Sequence, residues 1–498
     1  MKPLLLTENP SEPCLPGTTF VPVCVANETQ FARDALARLP LAESVLLLWQ
    51  QVADPKFLQD LFARWRGRAY EKVLSFPALV QLTADALLQY DGSARASFER
   101  ALKDDALPIT IAAAYGKLRR LPIAVSTAFL AEGTARLRAL LPVRPAASSV
   151  IPTSLQSFAV VVLDGKTIKH VAKRLKLLRG VHKGLLGGKT LVALELNSGL
   201  AVAMRAHPDG EINELRLVPD LVAEVEQRVP GPRLWVGDRA YCDLVQTGRF
   251  VAAGDHFLVR YHSKVHFHAD AERGVRQGSD AGGRPYIEEW GWLGGETDPR
   301  RRYVRRITLT RPTDEPLILV TDLVDANRYP AEDLLALYQS RWGIETVFQQ
   351  VTEVFPLKRL IGGTPQAGIF QMAFCLLLYN MIHVLRAYVA AAEQWEPADV
   401  SLEKLFDDVE RELIAWTVLV TPSETTEVFG KLPSVAQVRR RLTKLLGNVW
   451  QDRWLKAVNE KPRPYGRKPK RSRGHTSIHR VLEDHRRQHS RDQQTVNK

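Results

Sequence analysis

Cysteine is scarce in this chain, and the little there is does not pair: Cys14, Cys24, Cys242 and Cys375 show neither a C-x-x-C spacing nor a neighbouring histidine pattern. This argues against a disulfide-stapled scaffold and against a zinc module, and it points to reduced thiols. No basic-then-apolar leader is recognisable, because the apolar part of MKPLLLTENPSEP is too short, so secretion is not expected. A long uninterrupted hydrophobic run is also missing. The longest apolar stretch, 369–392, contains Gln371, Asn380, His383 and Arg386, which suits a core helix better than a membrane span. Acidic residues are the minority, 55 against 68 Lys and Arg, and the resulting +13 favours polyanionic partners without naming one. The 498 residues leave room for roughly three domains and an ample core.

Two short apolar runs each lead into an aspartate. Phe158–Leu163 precedes Asp164, and Leu234–Gly237 precedes Asp238. Runs of this kind read as buried central strands. A carboxylate at such a strand end is fixed in position and reachable from the sheet edge, where α/β folds place ligands. A third acid, Glu345, sits in a helix-length stretch, YQSRWGIETVFQQ. At about 100° per residue, Tyr338, Arg341, Glu345 and Gln349 fall in one stripe roughly 80° wide. Leu334, Leu335, Leu337, Trp342, Ile344, Val347, Phe348 and Val351 make the rest of the circumference apolar, so the expectation is one buried helix with a single polar face. Three carboxylates delivered in this way suit Mg²⁺, which takes hard oxygen ligands. Two such ions about 3.5 to 4 Å apart can serve an in-line phosphoryl displacement.

The segments VVLDGKTI, WVGDRAY and YQSRWGIE resemble the DDE transposases of bacterial insertion sequences, specifically the insertion-sequence-four family, over residues 75 to 390. SFPALVQL, YGKLRRLPIAVS and HFLVRYH are softer matches to the same family. The family carries a tyrosine, arginine, glutamate, lysine signature. Tyr338, Arg341 and Glu345 match its first three positions, while the lysine position is Thr352. Lys358 lies beyond Pro356, so Gln349 is expected to supply a neutral contact instead. The resemblance implies Asp164, Asp238 and Glu345 as catalytic and metal-binding acids with two Mg²⁺ ions, which Mn²⁺ can replace. It further implies cut-and-paste transposition on double-stranded DNA, acting on terminal inverted repeats and target DNA through a hairpin end and a synaptic homodimer, in the bacterial cytoplasm at the nucleoid and without a membrane. Tyr338, Arg341, Gln349, Arg239 and Arg260 are the expected DNA contacts near the acids. Two rival readings are a ribonuclease-H-like hydrolytic nuclease and a non-catalytic DNA-binding protein derived from a transposase.

The expected fold is α/β, with a ribonuclease-H-like catalytic core (151–254 and 326–395) interrupted by a β-rich insertion (255–325). An irregular segment (1–26) and a helical N-terminal domain expected to bind DNA (27–150) precede it; a helical C-terminal region (396–460) and a basic disordered tail (461–498) follow. A hairpin is expected around Asn197-Ser-Gly. After Asp164 comes a basic run of Lys166, Lys169, Lys173, Arg174, Lys176, Arg179, Lys183 and Lys189, read as tracking phosphates. In the insertion, Trp290 and Trp292 are read first as sheet packing and second as a surface for an extruded base. The tail carries 12 Lys or Arg against 3 acids, +9 of the total +13.

Overall fold

The computed structural model describes residues 23–69, 71, 73–89, 93–143, 151–169, 176–252, 254–311, 315–353, 361–456 and 474–496. Within these residues the fold is mixed α/β, built on a central sheet whose strands are β1 (Ala159–Thr167), β3 (Lys189–Glu195), β4 (Leu200–His207), β5 (Arg233–Gly237), β6 (His256–Arg260), β7 (Phe267–Ala269), β8 (Val275–Ser279), β9 (Pro285–Leu293), β10 (Arg302–Leu309) and β11 (Leu317–Thr321). Two further short strands, β2 (Gly184–Leu186) and β12 (His475–Ser477), pair with each other. The order across the sheet is β4-β3-β1-β5-β6-β11-β10-β9-β7, with β8 on β9. β1, β5 and β6 run parallel at its centre, and β3 and β4 form the hairpin expected around Asn197.

The central strands are apolar on both faces because both are covered. Val160, Val162, Leu234 and Val236 point into one core and Val161, Leu163, Trp235 and Val259 into the other, following the period of two along each strand. The first core also receives the N-terminal helices and the Pro365–Ala392 helix. By length and composition that helix could cross a membrane, yet its apolar window lies wholly buried inside the protein. Its polar residues have partners there. Asn380 accepts from the Ala201 N–H at 2.9 Å and donates to the Ala201 carbonyl and to Thr134, and Gln371 accepts from the Ile361 N–H.

Three expectations require correction. The stretch around Glu345 is two helices, Ala331–Ser340 and Trp342–Glu353, with the join at Arg341, where 3₁₀-type bonds (Arg341 N–H to Tyr338, Ile344 N–H to Arg341) replace the regular ladder. The strands after residue 255 do not form a separate sheet: β6 lies beside β5, and β11 to β7 extend the same sheet. The tail, expected to be disordered, contains β12 and the Ile478–Val496 helix, with Ser477 and Ile478 buried. Its GRKPKRSR core falls outside the described residues, as do Lys173, Arg174 and Lys358.

Candidate active site

Asp164 and Asp238 are brought together by strand register. Val162 and Val236 form the last pair of the β1–β5 ladder; Asp164 stands two residues further along β1, on the side of Val160 and Val162 by strand alternation, and Asp238 two residues beyond Val236, just past the end of β5. β1 outruns β5, so Asp164 lies within its strand and not at its end: Gly165, Lys166 and Thr167 still pair with β3. Asp238 directly follows β5 and starts a short turn, its Oδ1 accepting from the Ala240 N–H at 2.8 Å. Asp164 Oδ1 accepts from the Gly165 N–H at 2.9 Å.

The helix that carries Glu345 packs on the same face, because its Ile344, Val347, Phe348 and Val351 enter the same core as Val160 and Val162. Lys166 lies 5.5 Å from the Phe348 ring and ties β1 to this helix. Arg341, at the join of the two helices, is buried. It donates to Glu345 at 2.9 Å and stands 5.6 Å from the centre of the Tyr338 ring. Its Nε has no hydrogen-bond partner.

The electrostatics record how close these groups are. Burial pushes the Asp164 carboxyl up to about 6; Asp238 and Glu214 push the same way, and Arg341 and the Gly165 N–H oppose them. Tyr338 is raised by burial and by Asp238, with Arg341 and Arg260 opposing. Arg260 forms a 4.0 Å ion pair with the exposed Glu315. Gln349, Lys169 and Arg239 are exposed, and Thr352 bonds back to the Phe348 carbonyl. Trp290 is buried and donates to the Val324 carbonyl, whereas Trp292 is partly exposed beneath Arg301.

Two residues not anticipated from the sequence enter from the opposite face. Glu214 lies so close to Gly165 that a Cβ there would stand 1.9 Å from its Oε2. Tyr241 is fully buried, and its hydroxyl has no hydrogen-bond partner. Burial raises its pKa well above the ordinary phenol value, and Glu214, Asp164 and Asp238 add to the shift. The one hint in the sequence is the glycine immediately after Asp164. Among the described residues no three His, Cys, Asp or Glu side chains converge closely enough to hold a metal ion, and Glu345 is turned onto Arg341. The donor set nevertheless suits a hard divalent cation: it is all carboxylate oxygen, and an orphaned buried hydroxyl adjoins it.

Residues 156–381, somewhat under half of the chain, match the family described as "Transposase DDE domain". A probable transposase for insertion sequence element IS5377 of Geobacillus stearothermophilus is 23% identical over 160 residues; the match spans 32% of this chain and only 41% of that protein. A piggyBac transposase synaptic complex with hairpin DNA aligns over 84% of this chain and 78% of that one, at 12% identity and a TM-score of 0.30, too low to carry an argument. Residues 156–381 are thus similar to a transposase DDE domain, and the curated relative is a probable insertion-sequence transposase.

Proposed function

We propose that this protein is a transposase of the insertion-sequence-four type that moves its element by cut-and-paste, with Asp164, Asp238 and Glu345 as the acids of a ribonuclease-H-like core. One observation carries the reading: the parallel pairing of β1 with β5, which brings Asp164 and Asp238, each two residues past the last pair Val162–Val236, to the same end of adjacent strands, with the Glu345 helix packed over this core. The order β4-β3-β1-β5-β6, an antiparallel hairpin followed by parallel strands, supports a ribonuclease-H-like core.

On this reading the three acids would hold two Mg²⁺ ions, which would supply Lewis-acid stabilisation of charge on the attacking and leaving oxygens. Arg341 holds Glu345 in an ion pair and offsets the charge of Asp164, and Tyr338 and Arg260 line the approach of the DNA backbone. Water attacks the phosphate at the element end and frees a 3′-hydroxyl. That hydroxyl then attacks the opposite strand, closing a hairpin end that is reopened before transfer to target DNA. Pairing of two inverted-repeat ends implies a synaptic homodimer, acting at the nucleoid.

The test is incubation of wild type and Glu345→Gln with Mg²⁺ and DNA spanning the protein's own gene and flanks, with products resolved on native and denaturing gels. Excised or hairpin-ended fragments from wild type alone are the expected result. Cleavage by Glu345→Gln at the wild-type rate would refute the triad, and binding without cleavage by either protein would favour a non-catalytic DNA-binding role.

A further inference from the structure

Glu214 is a carboxylate against Gly165, next to Asp164, that the triad leaves unused. It opens the turn Glu214–Leu217, which leads into the helix Val218–Arg228 on the sheet face opposite the Glu345 helix. Its placement asks something specific of β1. With Oε2 1.9 Å from where a Gly165 Cβ would stand, only glycine lets this carboxylate reach the strand edge next to Asp164.

The second observation is Tyr241. Its hydroxyl is fully buried and unpartnered, with Glu214, Asp164 and Asp238 as its acidic neighbours. An unsatisfied buried hydroxyl costs about 1–3 kcal/mol, and the cost is removed when a ligand or its bound water supplies the missing partner. The third is Lys189, whose Nζ lies 2.8 Å from Glu214 Oε2, with both side chains mostly buried. Lys189 pairs with Thr167 in the β1–β3 ladder, so the counter-ion is delivered by the same strands that deliver Asp164.

We propose that Glu214 is a fourth acid of the divalent-cation site, reaching it from the opposite face of the sheet, with Lys189 as the counter-ion it gives up when a cation binds. This rests on the cation-dependent reading of Asp164 and Asp238 given above. The unpartnered Tyr241 hydroxyl would adjoin the site, and Gly165 leaves the space that Glu214 occupies.

The test uses the full-length protein without DNA, titrated with MnCl₂ by calorimetry. Circular dichroism and melting temperature verify the fold of each variant. Asp164→Asn is expected to abolish binding. Glu214→Gln, which keeps size and shape, is expected to weaken it roughly 10- to 100-fold, the usual effect of losing a supporting group. Gly165→Ala is expected to do the same by displacing Glu214, and Lys189→Gln to tighten binding by releasing it. If Asp164→Asn abolishes binding and Glu214→Gln leaves it unchanged, the fourth acid is refuted and the triad stands. If neither variant changes binding, the cation-dependent reading falls as well. Should Glu214→Gln not fold, Lys189→Gln decides: weaker or unaltered Mn²⁺ binding would identify the pair as a structural ion pair and overturn the proposal.

Discussion

Arg341 carries more of the site than its place in a sequence signature suggests. It is buried, bonds Glu345 directly, and offsets the charge of Asp164, whose carboxyl is held near 6 mainly by burial. Arg341→Met is therefore expected to leave the fold intact while lowering DNA cleavage roughly 10²–10³-fold, the scale of losing one fixed electrostatic group. Arg341→Lys should not restore the rate, because a compact ammonium lacks the planar fork of a guanidinium. Rescue by lysine would show that charge alone matters. Far from the site, burial also pushes Asp85 up to about 6 from 3.8. Between those values the folded chain keeps a proton that the unfolded chain has released, so this residue's contribution to stability falls as pH rises through the window. Asp85→Asn can keep the Gln81 bond. It is expected to stabilise the chain at pH 7 by on the order of 2 kcal/mol and to leave it nearly unchanged near pH 4, read from urea midpoints. A gain at pH 4 equal to that at pH 7 would contradict this assignment.

Among the elements, the Pro365–Ala392 helix organises the core through polar groups as well as apolar ones. A bulge shifts the β3–β4 ladder between Ala193 and Leu194, and Asn380 bonds both backbone groups of Ala201 on the bulged strand. Asn380→Ala removes both partners and leaves a void, with an expected cost of roughly 3 kcal/mol in urea unfolding. A cost below about 0.5 kcal/mol would mean that water replaces the amide fully. The break at Arg341 is also a feature of the elements. Helical periodicity continues through 331–353 in the sequence, yet the backbone changes to 3₁₀-type bonds at the join. Tyr338 and Arg341 are consequently buried, while Gln349, expected on the same stripe, faces solvent.

At the scale of the whole molecule, the described part of the tail, from residue 474 on, is docked where it was expected to be free. β12 adds to β2, and Arg480 bonds Asp209 at 2.9 Å, a few residues before Glu214. Removing the tail would therefore also remove the buried Ser477 and Ile478 from the core, so charge neutralisation is the cleaner probe of DNA binding. Changing Arg467, Lys468, Lys470 and Arg471 to Gln is expected to flatten the slope of log affinity against log salt by up to about 0.9 per lost phosphate contact. An unaltered slope would leave these residues without a DNA role. The sequence by itself determined the two aspartate-bearing strands, the Asn197 hairpin, the buried Pro365–Ala392 helix and the order of the three acids, because periodicity and short-range chemistry report local backbone and burial. The tertiary structure decided the pairing of the two aspartate-bearing segments, the turning of Glu345 onto Arg341, the docking of residues 475–478, and the arrival of Glu214 and Tyr241 from the other face. These depend on contacts between segments distant in the chain, such as Gly165 with Glu214, and on how two sheet faces meet at one edge, which no local pattern of residues encodes.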